Sequence, residues 1–164
     1  MISIKSDEEF ESMRAAGRIV AEVHAYMREN VRPGVTTGEL DAAAEKIIRD
    51  HGATPEFKGY HGFPASICAS VNEEVVHGIP GSRRLESGDI IGVDVGARIH
   101  GFVGDAALCL PVGDVSKDAQ RLLDTTQECL DLAVAVCGPG TRLSAIGAAV
   151  QQHAESRGYT LVRE

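Results

Sequence analysis

The chain has 164 residues, with 16 Lys plus Arg against 24 Asp plus Glu and a formal net charge of −8. That length supports one ordinary domain with a real core, and an acidic balance without any basic run excludes nucleic acid or an anionic membrane as the main partner. The first residues, Met-Ile-Ser-Ile-Lys-Ser-Asp-Glu-Glu, carry acids where a secretory signal needs an apolar core, and no apolar run approaches a membrane span. These features point to a soluble, cytoplasmic protein.

Ser6 and Glu9 form a capping-box pattern ahead of Phe10, Met13, Gly17, Val20 and Val23/His24 at helical spacing, which predicts a helix from Asp7 to Asn30, ending before Pro33-Gly34. Thr36 and Glu39 make a second box. Leu40, Ala43, Ala44, Ile47 and Ile48 then form one apolar stripe, closed by Gly52. From Ala53 to Pro80 the pattern changes to short strands and loops rich in Gly, Pro, His and aromatic residues. Within it Ile67–Val71 reads as a strand, Asn72-Glu73-Glu74 as a turn, and Val75 to Pro80 as the segment leaving it.

Gly88 to Leu110 reads as a hairpin, with strands Ile90–Val95 and Phe102–Leu110 joined around Arg98–Gly101. A turn centred between Ile99 and His100 would place Asp94 directly opposite Asp105, about 5 Å apart at Cβ. Ile91, Val93 and Val95 would share the other face with Phe102, Leu108 and Leu110, while Gly92, Gly96 and Ala107 leave room around the carboxylates. Two opposed carboxylates repel, so either one is protonated, a divalent cation lies between them, or a bulge turns one aspartate to solvent. On the hairpin alone the metal site and the bulge stand level.

A third helix is predicted from about Ser116 to Val136, stopping at Gly138-Pro139-Gly140. A fourth runs from about Ser144 to Arg157 and closes at Gly158, after which Tyr159–Val162 reads as the start of a strand. The order of events repeats: Pro33-Gly34 recurs as Pro139-Gly140, Leu40 as Ile146, Ala42-Ala43 as Ala148-Ala149, and Gly52 as Gly158. The chain therefore reads as one full structural repeat plus the helical part of a second. Cys68, Cys109, Cys129 and Cys137 show no Cys-x-x-Cys spacing and are expected to be reduced and partly buried, Cys68 being the one with a possible role. Among the histidines, His24, His51, His100 and His153 read as ordinary surface or core imidazoles. His77 stands apart because Gly78 and Pro80 give it a special backbone path, like that of Gly59–Pro64 before it.

The strings Gly59-Tyr60-His61-Gly62-Phe63-Pro64-Ala65-Ser66-Ile67-Cys68, Ser70-Val71-Asn72-Glu73 and His77-Gly78-Ile79-Pro80 resemble type I methionine aminopeptidases. So do Gly88-Asp89-Ile90, Asp94-Val95-Gly96, Gly101–Ala106, Pro139-Gly140, Ile146-Gly147 and the terminal Val162-Arg163-Glu164. Prolidase-like enzymes of the same fold share the aspartate pair but not the Gly-Tyr-His-Gly-Phe-Pro segment. The resemblance implies an α+β, pita-bread fold, a curved antiparallel sheet flanked by helices in two pseudo-symmetric halves. It implies two divalent metal ions (Co, Mn, Fe or Zn) held by two Asp, one His and two Glu, with Asp94 as the first aspartate and Asp105 as the bridging one.

By the same resemblance His77 contacts the substrate near the scissile amide, and Tyr60, Phe63 and Cys68, with Phe57 and His61 nearby, line a pocket for the methionine side chain. Aromatic and polarizable walls suit a thioether. The implied reaction is metal-dependent removal of the initiator methionine from nascent polypeptides, with a small second residue preferred, near the ribosome, by an enzyme that is a monomer when complete. The family's metal-binding histidine and both glutamates lie beyond the Val-Arg-Glu with which this sequence closes. The expectation is therefore a single catalytic domain over 1–164, truncated at its C-terminus, with weak or no metal binding of its own and doubtful activity. The competing expectation is a short non-catalytic relative that binds peptide N-termini or a partner protein.

Overall fold

The computed structural model describes residues 3–162. The chain divides into two compact units, Met1–Val115 and Ser116–Glu164. In the first, helix α1 spans Asp7–Asn30 and helix α2 spans Thr37–Asp50, each opened by the expected capping box. At the start of α1 the Glu9 amide donates to Ser6 Oγ, and the Ser6 amide donates back to the Glu9 carboxylate. Strands β1 (Thr54–Pro55), β2 (Ile67–Val71), β3 (Ile90–Ile99) and β4 (Phe102–Pro111) form one antiparallel sheet. The long strand β3 is its spine, with β1 and β2 along one side and β4 along the other.

Alternation along the strands separates two faces. Ile67, Ala69 and Val71 on β2 and Ile91, Val93, Val95 and Ala97 on β3 are buried. They form the core with Ile19, Val20, Val23 and Met27 of α1 and Leu40, Ala44 and Ile48 of α2. The apolar stripe of α1 thus begins at Ala16. Phe10 and Met13, read as part of it, are 47% and 38% exposed because they precede the stretch that lies on the sheet. α1 meets β4 backbone to backbone, since a Cβ on Gly104 would come within 2.6 Å of the Ala16 carbonyl carbon. The other face of the sheet carries Cys68, Ser70, Gly92, Asp94, Gly96, Asp105, Ala107 and Cys109.

The hairpin register differs from the expected one. Ile99 pairs with Phe102, so Asp94 lies opposite Ala107 and Asp105 opposite Gly96, one diagonal step apart. The turn is His100-Gly101, with φ of +52° and +81°, the positive pair that a two-residue type I′ turn requires. A slip of two positions preserves which face each side chain takes, so the aspartates still share a face. Pairing is unbroken from Ile90 to Ile99, which leaves no bulge to turn either one away.

In the second unit helix α3 spans Lys117–Val136 and helix α4 spans Leu143–Ser156, joined through Gly140 in the left-handed region. The two meet at buried Thr125, Cys129 and Ala154, and Glu128 takes both His153 Nε2 (2.7 Å) and Arg157 (3.0 Å). The repeat is visible residue by residue: α4 has the length of α2, 14 residues, and Gly34 and Gly52, at φ +93° and +70°, have Gly140 and Gly158, at +81° and +85°, as counterparts. Tyr159–Val162 forms no strand; the Tyr159 amide donates instead to the Ala154 carbonyl of α4 (2.9 Å). Arg163 and Glu164 of the terminal motif lie outside the described residues. All four cysteines are free; Cys68 and Cys129 are buried, whereas Cys109 and Cys137 are exposed, contrary to expectation, because one sits on the open face of β4 and the other just past the end of α3.

One difference between the repeats is energetic. Thr36 caps α2 with its side chain, but its counterpart Arg142 offers α4 no side-chain acceptor. Arg142→Thr combined with Ala145→Glu rebuilds the box and is expected to stabilise the second unit by about 1 kcal/mol. Thermal unfolding followed by circular dichroism checks this, and an unchanged midpoint would contradict it.

Candidate active site

A cavity of about 550 Å³ opens above the polar face of the sheet. Its lining brings together every residue singled out from the sequence: Phe57, Tyr60, His61, Phe63, Cys68, His77, Asp94 and Asp105. Gly62, Pro64 and Ile79 line it too and were missed, since short apolar or backbone-only positions inside a motif carry no chemical signal of their own.

The floor is set by β2, β3 and β4. Cys68 lies directly opposite Asp94 across β2 and β3, and Asp105 reaches the same spot from β4. Small partners make room: Ala107 faces Asp94 and Gly96 faces Asp105. Gly96 is needed for a second reason, because the Phe57 ring lies over it; a Cβ there would stand 2.6 Å from a ring carbon. Asp94 is half-buried, and Asp105 lies one diagonal step from it on the same face. Burial first, and the Asp105 charge second, push the Asp94 carboxyl above its ordinary range. The same burial, helped by both aspartates, pushes the Cys68 thiol up to about 11, so it is a neutral, polarizable wall rather than a nucleophile.

The aromatic wall is the segment from Phe57 to Pro64. It turns through a short 3₁₀ stretch, Tyr60–Gly62, with Gly59, His61 and Gly62 all at positive φ. Tyr60 and His61 meet edge to face with ring centroids 4.4 Å apart, and Tyr60 remains 68% exposed at the mouth. At its start the wall is tied to β3, where the Glu56 amide donates to the Gly96 carbonyl (2.9 Å) and Arg98 Nε donates to Glu56 (2.7 Å).

His77 arrives from the segment after β2. Its φ is +60°, a strained conformation for a residue with a Cβ. Gly78 lies flat on β2: its amide donates to Ser70 Oγ (3.0 Å) and its carbonyl accepts from the Ala69 amide (2.9 Å). The far end of this segment is fastened to the first turn of α2, where the Gly81 amide donates to Thr37 Oγ1 (2.9 Å) and the Gly38 amide donates to the Gly81 carbonyl (2.8 Å).

The donor set fits part of a divalent-cation site. Two carboxylates converge on one spot, and the burial and the neighbouring Asp105 charge that raise the Asp94 carboxyl are both penalties on its ionised form that a cation would offset. Among the described residues no group of three or more His, Cys, Asp or Glu side chains could hold a metal by itself. None of the described helices is long and apolar enough to cross a membrane.

Comparison with known proteins gives this geometry a setting. The chain is 49% identical over 164 residues to methionine aminopeptidase 1 of Bacillus subtilis, covering 100% of this chain and 66% of that protein. It is 44% identical over 165 residues to the methionine aminopeptidase of Escherichia coli, covering 99% of this chain and 62% of that protein. The chain thus spans less than two thirds of the length of these relatives. The crystal structure of methionine aminopeptidase from Rickettsia prowazekii superposes with a TM-score of 0.97 at 39% identity, over 100% of this chain and 66% of that one. The prolidase from Pyrococcus furiosus, at 22% identity and a TM-score of 0.84, shares the fold over 95% of this chain and 45% of its own. The sheet and helices described above are accordingly a pita-bread fold. Residues 11–164 match metallopeptidase family M24, and the chain belongs to that family.

Proposed function

We propose that these residues form the substrate-recognition side of a methionine aminopeptidase catalytic centre and contribute two of its five metal ligands. The observation that carries this reading is the convergence, in one cavity, of an aromatic and sulfur-containing wall, one histidine on a strained backbone and a carboxylate pair. Phe57, Tyr60, His61, Phe63 and Cys68 would surround an unbranched apolar side chain carrying a polarizable sulfur. His77 would hydrogen-bond the peptide at its first amide, on the cavity side facing Asp94. Asp94 and Asp105 would hold the cations, together with a histidine and two glutamates from outside these residues. The chemistry those cations supply when bound is activation of water and polarisation of the peptide carbonyl. The proposed substrates are newly made cytoplasmic polypeptides beginning with methionine and a small second residue.

The test is release of methionine from Met-Ala-Ser, with added Mn²⁺ or Co²⁺, by the protein isolated from its own cells. Turnover of Met-Ala-Ser with none of an x-Pro dipeptide is expected, whereas the reverse preference would assign the chain to the prolidase-like branch. A second reading rests on the aromatic and sulfur-containing wall, which lines the cavity whether or not a reaction follows. It is a protein that binds peptide N-termini without cutting them, and saturable binding of Met-Ala-Ser without turnover would establish it.

A further inference from the structure

Two acids on α2 lie outside the cavity lining, yet both are partly buried. Asp41 and Glu45 stand one helical turn apart on one face. Asp41 Oδ1 accepts from the backbone amides of Ser66 (2.8 Å) and Ile67 (3.0 Å), where the aromatic wall ends and β2 begins. Glu45 Oε2 accepts from Lys58 Nζ (2.6 Å), where the wall begins, while its Oε1 accepts from Arg49 Nε (2.8 Å). Between those two ties lie Tyr60, His61 and Phe63. The wall has only local turn hydrogen bonds of its own and passes three times through positive φ, so its path is not fixed by regular structure. Ser66 is fully buried, so without Asp41 its amide would lose its acceptor away from water.

We propose that Asp41 and Glu45 are positioning residues that set the side-chain selectivity of the cavity by holding its aromatic wall at both ends. The proposal rests on the methionine-recognition reading above. Each acid acts through the wall it fastens, and neither contacts the ligand. Asp41 needs one acceptor oxygen rather than its charge, since a single oxygen takes both amides. Glu45 needs its charge, because its partners are Lys58 and Arg49.

The experiment measures the affinity of the whole chain for Met-Ala-Ser and for Ala-Ala-Ser by NMR titration, the ratio reporting on the side-chain pocket alone. Asp41→Ala is expected to lower the preference for Met-Ala-Ser about tenfold, the equivalent of one buried hydrogen-bonded contact, while Asp41→Asn keeps it near the wild-type value. Lys58→Met, a change at a half-exposed side chain that leaves the core intact, is expected to lower it in the same direction and so tests the clasp even if Asp41→Ala fails to fold. Faster exchange of the Ser66 and Ile67 amides in Asp41→Ala, but not in Asp41→Asn, is the accompanying structural signature. An unchanged preference in Lys58→Met, or equal losses in Asp41→Asn and Asp41→Ala, would overturn the proposal alone. A wild-type chain with no preference for Met-Ala-Ser would overturn the methionine reading and the proposal with it.

Discussion

Replacing Gly78 by alanine is expected to unseat His77 and to destabilise the first unit by about 3 kcal/mol, the upper part of the range for overpacking against atoms that cannot move. A Cβ on Gly78 would lie 2.3 Å from the Ala69 carbonyl oxygen and 2.8 Å from Ser70 Cα. Both belong to the backbone of β2, whose residues are all buried and which is paired to β3 along its whole length. The strand cannot yield, so the His77–Pro80 segment must lift. That movement breaks the bonds from the Gly78 amide to Ser70 Oγ and from the Ala69 amide to the Gly78 carbonyl, and carries His77 away from Asp94. Urea unfolding gives the stability change, and Met-Ala-Ser titration gives the loss of binding. Wild-type values of both would show that the segment is not seated on β2.

The aspartate pair predicts effects of opposite sign on binding and on stability. Asp94→Asn is expected to abolish divalent-cation binding at the sheet while raising the stability of the metal-free chain at neutral pH. The gain is small, about 0.5 kcal/mol: the ionised carboxyl is penalised first by burial, which is only partial, and second by the Asp105 charge, which is screened because Asp105 is exposed. The sign follows from the direction of the shift. A carboxyl whose folded value is raised resists ionisation in the native state, so it costs stability once the pH exceeds its ordinary value. The asparagine variant therefore gains relative to wild type as pH rises through the carboxylate range, and the two converge in acid, where Asp94 is protonated in both states. A variant that is less stable than wild type at pH 7 would mean that Asp94 forms a favourable structural contact instead. Site residues that cost stability are what a cation-binding function selects.

The local grammar of the chain was legible. Capping boxes at Ser6 and Thr36 placed two helices, and the Pro-Gly breaks at Gly34 and Gly140 placed the joints between helix pairs. The face shared by Asp94 and Asp105 was legible as well, because a period of two survives a register slip of two. The register itself was not. His100-Gly101 lacks the Asn-Gly or Asp-Gly signature of a two-residue turn, and only the left-handed conformation of His100 reveals it. The cavity-lining residues with aromatic, thiol or imidazole groups were named through the family resemblance of the Gly59–Cys68 and His77–Pro80 strings, with Phe57 just ahead of the first. Asp41, Glu45 and Ser70, which fasten the segments around the cavity without lining it, were not singled out, since a helical acid or a strand serine looks like solvated surface until the partner that folds against it is known. Their hydrogen bonds join residues up to 26 positions apart, and no local pattern announces such a bond.

The most direct test of the central claim is a titration of the chain with Mn²⁺ followed by amide NMR. If Asp94 and Asp105 form the cation-binding half of the site, paramagnetic broadening begins at Gly92–Gly96, Val103–Ala107 and Cys68. It would need high Mn²⁺ concentrations, as befits two carboxylates without further ligands, and would vanish in Asp94→Asn. Broadening confined to the acidic start of α1 at Asp7–Glu9, with the hairpin amides unaffected, would contradict the account.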